Sequence, residues 1–528
     1  MSEKEVDTPE KEASGEYDAI VIGSGIGGLA AASVLSQIYK KRVLVLERHS
    51  LLGGFTHEFS RKGFSWDVGL HYVGQLDPAM STRNAFDFIT QGQVKWQKMK
   101  SPFETFCYPH FRFEVSDDPK VYESDLINKF PADAQKIKKY FNDIHKIPLV
   151  GSLPIFPRFL RPLLRLIFRS RIRVAHQTVS AYMDKLGVDK KLASLLCSQW
   201  GDYGLPPSQA SMLVHSIIVS HYLNGAYYPA GGAKTIAKAV QKVIEGSNGL
   251  CLVKREVDSL IIENDRIRGV RTRNFNGVRE EYHAPMVFSN IGVQNLYRMI
   301  PEKFVSSAAK KELVSIPVGT SVVVLYLGLK KSPEHLGVHG QNFWIYNEWD
   351  HDEIFRNSSR ITDGQVNACY VSFPSMKDPT SPKATAEIIA FVPYSAFENW
   401  QESSWRKRPQ DYEAIKEKIS LALLDFADRE IPGLKDLVEY RELSTPLASK
   451  HFTNHQNGQI YGYPATLDRL NSVLTSPGTG VKGLYNVGAD VFGHGIVGAM
   501  MGGIATVSSV MGWSTFGKVM KPVHQKDS

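Results

Sequence analysis

Between residues 17 and 47 the chain alternates short apolar runs with a helical pattern. Residues 17–22 and 42–46 are apolar, β-branched runs of the kind that form buried parallel strands. Between them, residues 29–35 are good helix formers with an apolar face. This order predicts a strand–helix–strand unit of about 30 residues, the size of one βαβ crossover.

The same alternation continues along the rest of the chain. Strands are predicted for residues 111–115, 250–257, 259–273, 320–328, 387–392 and 483–490, with a turn at 263–265. Helices are predicted for residues 132–144, most of 182–224, 233–245 and 411–427. Strands that alternate with helices in this way indicate an α/β fold.

The first strand and the first helix are separated by the turn Gly23-Ser24-Gly25-Ile26-Gly27-Gly28. In such a turn Gly23 permits the tight bend, Gly25 lets the backbone approach a pyrophosphate, and Gly28 lets helix and strand pack closely. The free N–H groups and the dipole of the helix N-terminus attract an anion. Glu47 follows the second strand, where a carboxylate accepts hydrogen bonds from a ribose. The turn, Glu47 and the neighbouring Arg48 therefore predict a dinucleotide site, with NAD and FAD both open at this point.

Composition narrows the class of protein. The chain has 528 residues, of which 43% are hydrophobic and 22% charged, so it is long enough for two or more hydrophobic cores. Its four cysteines (Cys107, Cys197, Cys251 and Cys369) are far apart in sequence, which predicts unpaired thiols and a cytoplasmic location. Residues 1–16 are charged and mainly acidic, and they predict a disordered tail rather than a signal peptide. No apolar run reaches the length of about 18 residues expected of a transmembrane helix.

Residues 148–181 differ in composition from the rest of the chain. They contain six arginines and no acidic residue, and large apolar side chains separate the arginines. The arginines are Arg158, Arg161, Arg165, Arg169, Arg171 and Arg173. So many large aliphatic residues argue against a nucleic-acid-binding arm and favour a helix on a membrane surface. A core helix with arginines on its exposed face is the alternative, and it stays open.

Further motifs extend the dinucleotide site. The pair Gly53-Gly54 follows Glu47, and Gly69-Leu70-His71-Tyr72-Val73-Gly74 comes soon after it. Near the C-terminus, Gly488-Ala489-Asp490 precedes the glycine-rich segment 493–503. Together these motifs resemble the flavin-binding amine oxidase and phytoene desaturase superfamily. Within it the 69–74 segment is most similar to the retinol saturase (all-trans-retinol 13,14-reductase) family and its carotenoid isomerase relatives.

The resemblance implies an α/β fold in which a Rossmann-like FAD-binding domain carries an inserted α+β substrate domain. The FAD-binding domain would comprise residues 17–76, 226–300 and 480–515, and the substrate domain residues 77–225 and 301–479. It also implies that residues 285–292 form a strand closing the second part of the FAD domain. Beyond the first turn, the implied cofactor-binding residues are Gly53, Gly54, Val257, Gly488, Asp490, Ile496 and Val497.

The implied activity is that of an FAD-dependent oxidoreductase acting on a conjugated double bond of a retinoid or carotenoid, with saturation as the first reading. NAD(P)H is an implied external electron donor, and the cytoplasmic face of a membrane is the implied location. Desaturation and cis–trans isomerisation are alternatives, and so is lipid binding without catalysis by a chaperone of the GDP-dissociation-inhibitor type.

The implied proton donors near the flavin are His71, Tyr72 and His494, because a histidine that titrates near neutral pH is a suitable acid. His451 and His455 are four residues apart but lie beside loop-forming asparagines, and they lack a third ligand. We therefore predict no metal site.

Overall fold

A parallel sheet forms the first layer of the fold. The computed structural model describes residues 16–78, 80–151, 153 and 160–522. Within these ranges, five strands pair in parallel in the spatial order Leu250–Leu252, Val43–Leu46, Ala19–Ile22, Val287–Ser289 and Leu484–Asn486. Every residue of the two central strands Ala19–Ile22 and Val43–Leu46 is buried, as expected of a parallel sheet covered on both faces.

Two helices cross on one face of this sheet. Helix Ile26–Tyr39 follows the first strand, and helix Gly495–Met511 follows the last. They approach so closely because glycines meet at the crossing, where a Cβ on Gly503 would lie 2.1 Å from the carbonyl oxygen of Gly27. A Cβ on Gly28 would likewise lie 2.3 Å from the carbonyl oxygen of Gly23. The glycines therefore bring the N-termini of both helices to the same edge of the sheet.

A larger mixed sheet forms the second layer. Among the described residues its seven strands lie in the order Val438–Ser444, Ser321–Leu329, Thr385–Val392, Ala368–Ser372, Asn342–Tyr346, Glu104–Tyr108 and Phe111–Val115. Only the pair Asn342–Tyr346 and Glu104–Tyr108 is parallel. Helix Gln410–Glu430 packs on one face of this sheet through Leu423 and Phe426.

Smaller elements complete the molecule. Further strands are Glu58–Arg61, Phe64–Asp67, Val73–Gly74, Trp96–Lys98, Ala226–Pro229, Arg255–Glu263, Arg266–Asn274 and Arg279–His283. Further helices are Ser81–Thr90, Pro119–Lys129, Ala134–Lys146, Pro148–Gly151, Arg161–Ile167, Arg169–Ala175, Val179–Leu186, Lys190–Leu196, Met212–Tyr222, Lys234–Glu245, Val293–Met299, Ser307–Ser315, His351–Arg356, Pro374–Lys377, Leu434–Leu437, Pro446–Thr453 and Ser514–Val519.

The α/β fold class predicted from the sequence is confirmed, and two predicted elements are wrong. Residues 250–257 do not form one strand, because the chain turns at Lys254 (φ 57°) and its two halves join different sheets. The basic stretch 148–181 is not one helix. Its described part consists of short helices, with a break at Phe168 between Arg161–Ile167 and Arg169–Ala175, and prolines 148, 154, 157 and 162 disfavour a continuous helix.

Other predictions concern the chain ends, the domains and the membrane. Residues 1–15 of the predicted disordered tail lie outside the described residues, as does Arg158. The five parallel strands fall within the three ranges assigned to the FAD-binding domain, while the domain boundaries themselves stay a prediction. No helix in the described parts of the chain is long and apolar enough to span a bilayer.

Candidate cofactor and substrate cavity

One large cavity lies between the two sheets. Its volume is about 1640 Å³, and it reaches from the glycine turn at Gly23 to helix Met212–Tyr222 and the basic helices near Arg165 and Arg169. Typical ligand pockets have volumes of about 300–1,000 Å³. The cavity is therefore large enough to hold a dinucleotide and a second ligand together.

The glycine turn forms one end of this cavity. Gly23 has φ +88°, a left-handed conformation that glycine adopts without strain. Gly53 pairs with Gly25 through an isolated bridge, and a Cβ on Gly54 would lie 3.0 Å from the Cα of Gly25. Gly53-Gly54 therefore passes close to the glycine turn. Gly23, Gly25, Gly53 and Gly54 present backbone at the cavity surface.

Two helix N-termini open into the cavity. Helix Ile26–Tyr39 begins after Gly25 and helix Gly495–Met511 begins after His494, and no side chain in the described part of the chain caps either N-terminus. Gly25, Ile26, Gly27, Ile496 and Val497 line the cavity there. Uncapped N–H groups and the helix dipoles give this end a positive potential suited to phosphate groups.

Glu47 holds the glycine turn in shape. Its Oε2 accepts hydrogen bonds from Ser24 N (2.9 Å) and Ser24 Oγ (2.7 Å), and its Oε1 accepts from His49 N (2.8 Å). A carboxylate has about four acceptor positions, so Glu47 retains capacity for a ribose hydroxyl. Arg48 lies 3.7 Å from Glu256, and its Nη1 is buried without a hydrogen-bond partner among the described residues. Glu47, Arg48 and Val257 all line the cavity.

Asp490 lies where the two sheets meet the cavity. Its Oδ1 accepts from Tyr463 N (2.6 Å) and its Oδ2 from Val293 N (2.8 Å), at the start of helix Val293–Met299. Gly488 lies just before it, where a Cβ would be 2.2 Å from Asn290 Oδ1. Asp490 therefore joins two segments of backbone as well as facing the cavity.

His494 is held by a buried arginine. Its Nε2 lies 2.6 Å from the carbonyl oxygen of Tyr463 and 3.1 Å from Arg469 Nη1. One ring nitrogen cannot donate to the first atom and accept from the second, and the shorter contact favours the hydrogen on Nε2. Burial and the charge of Arg469 lower the pKa of His494 to about 3. The expected titration near neutral pH is therefore wrong for His494, which stays neutral.

His71 lies beside a buried carboxylate. Its Nδ1 is 2.9 Å from Glu387 Oε2, although the two groups are not oriented for a hydrogen bond. The backbone carbonyl of His71 accepts a hydrogen bond from Lys377 Nζ at 2.9 Å. Burial lowers the pKa of Lys377 to about 7, against the opposing influence of Glu387, Asp67 and Glu104. His71 lines the cavity next to Tyr72.

Tyr72 lies between two acidic side chains. Its hydroxyl is 2.7 Å from Glu104 Oε1 and 2.7 Å from Asp202 Oδ2. Its ring stacks on Tyr222, with ring centroids 4.3 Å apart. The predicted residues His71, Tyr72 and His494 all line the same cavity, although they stand on different segments.

The other end of the cavity is apolar. Val214, Ile217, Ile218, His221 and Tyr222 recur at helical spacing along Met212–Tyr222 and present one face to the cavity. The opposite wall of this branch includes Val150, Leu153 and Ile172 from the segment around the basic helices. This branch has the shape and polarity for a long apolar ligand.

Several residues of the site had no local sequence signal. The lining residues Asp202 and Arg469 lie in short 3-10 helices without a recognisable motif, and Glu104, which is fully buried, begins a strand of the mixed sheet. The local sequence indication for Asp202 was the segment Trp200-Gly201-Asp202, which begins a run of turn-forming residues. The described residues contain no cluster of metal-ligating side chains. His451 stacks on Trp405, and His455 Nδ1 lies 3.0 Å from the carbonyl oxygen of Gln459.

The chain is similar to a known protein family and to solved structures. A family model described as NAD(P)-binding Rossmann-like domain matches residues 21–89. An oxidoreductase from Methanosarcina mazei covers 93% of this chain and 99% of its own, with a TM-score of 0.58 and 18% identity. Putrescine oxidase covers 94% of this chain and 99% of its own, with a TM-score of 0.62 and 13% identity. These likenesses show the Rossmann-like fold.

Curated relatives match nearly the whole chain. All-trans-retinol 13,14-reductase of Danio rerio is 32% identical over 94% of this chain and 86% of its own length. A protein of the same organism named inactive all-trans-retinol 13,14-reductase is 30% identical over 95% of this chain and 86% of its own length. Prolycopene isomerase 1 of an Oncidium hybrid cultivar is 25% identical over 93% of this chain and 83% of its own length. The chain belongs to the all-trans-retinol 13,14-reductase family.

Proposed function

We propose that this protein is an FAD-dependent oxidoreductase that saturates a conjugated carbon–carbon double bond of a retinoid, with all-trans-retinol as the first substrate to test. The observation that carries the proposal is the large cavity, in which the glycine turn and two uncapped helix N-termini meet an apolar branch. The names of the reductase relatives support the same reaction.

The residues at the polar end fit FAD. Its pyrophosphate would lie on Gly23, Ser24, Gly25, Ile26, Gly27 and Gly28, with Gly53 and Gly54 above it and Glu47 and Arg48 at the adenosine ribose. The buried, unpartnered Nη1 of Arg48 supports an acceptor there. Val257 would contact adenine, and Gly488, Asp490, Ile496 and Val497 would surround the ribityl chain and flavin. When bound, FAD supplies the hydride, and NAD(P)H is the proposed external donor.

The protein's own side chains supply position and electrostatics. The apolar branch along Val214 and Ile218 would exclude water and align the polyene. The N-terminus of helix Gly495–Met511 and the buried Arg469 would stabilise negative charge at the flavin end. His494 is neutral, and its buried Nδ1 has no partner among the described residues, so it would accept a hydrogen bond there. His71 stays a candidate acid.

Replacing Glu47 with alanine should weaken retention of FAD about tenfold, because it removes the ribose acceptor together with charge-assisted hydrogen bonds of about 1.5–3 kcal/mol each that hold Ser24. Absorption spectra of the purified protein, with chromatography of the nucleotide that heat releases, measure this. Glu47→Gln should lose less because it keeps one acceptor oxygen. Release of NAD, or of no nucleotide, from the wild type would contradict the FAD site.

Product analysis distinguishes the reaction from its alternatives. All-trans-retinol incubated with the reduced protein without air should yield a product heavier by two hydrogens. A product lighter by two hydrogens would indicate desaturation, and an isomer of equal mass would indicate isomerisation. Unchanged retinol that co-purifies with a colourless protein would favour lipid binding without catalysis. A zebrafish relative is named inactive, so FAD-bound protein without turnover is a further informative outcome.

We also propose that this is a peripheral membrane protein of the cytoplasmic face. Its basic helices would hold the cavity against the membrane surface. Leu163, Leu166 and Ile167 are 57%, 68% and 61% exposed on helix Arg161–Ile167. The exposed Arg165 and Arg169 line the edge of the cavity beside them. Exposed aliphatic residues next to arginines suit the boundary between acyl chains and anionic headgroups. A nearly insoluble retinoid could then enter the apolar branch from the bilayer.

Arg165→Glu with Arg169→Glu should weaken binding to vesicles rich in anionic lipid, since each basic residue near such a surface contributes about 1 kcal/mol. Added salt should weaken the wild type similarly, and FAD content should not change. Vesicle flotation measures both effects, with Lys311→Glu and Lys331→Glu as an exposed control pair remote from the cavity. Equal flotation with neutral and anionic vesicles, or with neither, would make these helices an ordinary part of the structure.

A further inference from the structure

The hydroxyl of Tyr72 makes two short contacts to acidic groups with one hydrogen. It lies 2.7 Å from an oxygen of Glu104 and 2.7 Å from an oxygen of Asp202. A phenol can donate to only one of these oxygens. The other contact requires a proton on the carboxyl group, which then donates to the phenol oxygen. The geometry therefore places one extra proton within the group formed by Glu104, Tyr72 and Asp202, here called the acid triad.

The surroundings favour Asp202 as the residue that holds this proton. Glu104 accepts additional hydrogen bonds from Trp344 Nε1 (3.0 Å) and Gln199 Nε2 (2.7 Å), which stabilise its carboxylate form. Asp202 has no hydrogen-bond donor other than Tyr72 among the described residues. Burial raises the pKa of Glu104 to about 7 and raises that of Asp202 well above its ordinary value, with the charge of Glu104 adding to the second shift.

Few charges oppose this arrangement. The titratable groups that face the acid triad are Tyr122, Tyr203, Tyr222, Tyr346, Tyr370, Tyr461 and Lys377, with Asp67, His71 and Glu387 behind Lys377. The tyrosines carry no charge near neutral pH because burial raises their pKa values. Lys377, with its pKa of about 7, is the nearest cation, and it favours the carboxylate of Glu104.

Asp202 also faces the cavity. It lines the wall together with Tyr72, Tyr222 and Tyr461, between the apolar branch and the polar end. Tyr461 links it to the polar end, since the Tyr461 hydroxyl donates to the carbonyl of Gly201 (3.2 Å) and its ring stacks on His494 with centroids 5.3 Å apart. Glu104, by contrast, is fully buried and does not line the cavity.

We propose that Asp202 is the acid that protonates the polyene during saturation, and that Tyr72 and Glu104 are positioning residues that hold the proton on it. The inference rests on the proposed function. In the step, bound reduced FAD would supply the hydride for one C–H bond and be oxidised by two electrons, the π bond would break, and the second carbon would take the proton from Asp202. The double bond is reduced by two electrons, Asp202 is left as a carboxylate, and solvent reprotonates it.

This assignment moves the donor role from the histidines to a carboxylic acid. His494 is neutral, and an imidazole N–H that already donates to the Tyr463 carbonyl is a poor acid. Asp202 holds a transferable proton at neutral pH because burial, with the charge of Glu104, raises the pKa of its carboxyl group. Carboxyl groups kept protonated by an apolar site are established as acids in other enzymes.

Asp202→Asn is expected to lower the rate of saturation about 100-fold or more, the usual contribution of a general acid, with FAD content unchanged. Asp428→Asn is the matched control, because Asp428 is likewise half-buried and hydrogen-bonded but lies outside the cavity. Infrared spectroscopy at neutral pH gives a readout independent of turnover. The C=O band of a protonated carboxyl group should be present in the wild type and in Asp428→Asn, and lost or reduced in Asp202→Asn.

A positioning role for Glu104 predicts a shift in the pH dependence of turnover. Activity should fall with rising pH as Asp202 loses its proton. Glu104→Gln should move this fall to lower pH, because the charge of Glu104 raises the pKa of Asp202. Tyr72→Phe should lower the rate and shift the carboxyl C=O band in the infrared spectrum, because the protonated Asp202 loses the phenol oxygen to which it donates. A purely structural role for Glu104 would change the rate without this shift in pH dependence.

The outcomes separate this inference from the proposed function. Saturation by Asp202→Asn at the rate of the wild type, or an infrared band that persists unchanged in it, would overturn the donor role alone. A wild type that saturates no retinoid would overturn the proposed function and the donor role with it.

Discussion

Replacing Val214 with tryptophan should abolish turnover of a retinol-sized polyene while FAD stays bound. Val214 lies on the cavity face of helix Met212–Tyr222, in the apolar branch beside Ile217 and Ile218. An indole at this position would occupy the path of a long ligand without touching the glycine turn. Even a displacement of about 1 Å from the reactive geometry can cost about 100-fold in rate. Steady-state rates with all-trans-retinol, together with flavin absorbance, measure the effect.

Val314→Trp is the matched control, since Val314 is 91% exposed and lies outside the cavity. It should match the wild type in rate and in FAD content. If Val214→Trp retained wild-type turnover, the apolar branch would not be the polyene site. Loss of flavin in that variant would instead mean that the two ends of the cavity are not separable.

Replacing Gly25 with alanine should greatly reduce FAD content. The backbone of Gly25 has φ −57°, which alanine adopts without strain, so the change acts through the added methyl group. That methyl would stand at the start of helix Ile26–Tyr39, 2.6 Å from Asn290 Nδ2, where the pyrophosphate must approach the backbone. Overpacking of this kind costs about 1–3 kcal/mol, which corresponds to binding weaker by about 5- to 150-fold. Flavin absorbance per protein after dialysis measures it.

Gly517→Ala is the control for this change, because a Cβ at Gly517 meets no atom within 4 Å. It should keep its FAD. A Gly25→Ala protein that folds and retains FAD like the wild type would show that the glycine turn does not carry the pyrophosphate.

The cofactor end could be predicted from the sequence because its chemistry depends on local backbone. The turn, Gly53-Gly54 and Glu47 lie within about 30 residues, and their spacing follows from the geometry of one βαβ unit. The structure adds what spacing cannot give, such as the contact of Gly503 with Gly27 that joins two helices nearly 500 positions apart. The sequence pattern also predicted one strand over residues 250–257, where the chain instead turns at Lys254 and contributes strands to two sheets.

The acid triad could not be predicted, because its members are brought together only by the tertiary fold. Tyr72, Glu104 and Asp202 come from a loop, a strand and a short helix, far apart in sequence. The same holds for Arg469, whose charge adds to burial in lowering the pKa of His494, although the motif of His494 suggested an acid. A single sequence gives residue types and their spacing. Burial and the charges of neighbouring groups determine which group holds a proton, and both depend on the tertiary fold.

The most direct test of the central claim is a single turnover without air, in which FAD is first reduced on the enzyme and one equivalent of all-trans-retinol is then added. The account predicts that the absorbance of oxidised flavin returns as retinol disappears, with one dihydro product formed for each flavin reoxidised. Flavin that stays reduced while retinol is recovered unchanged or merely isomerised would contradict it.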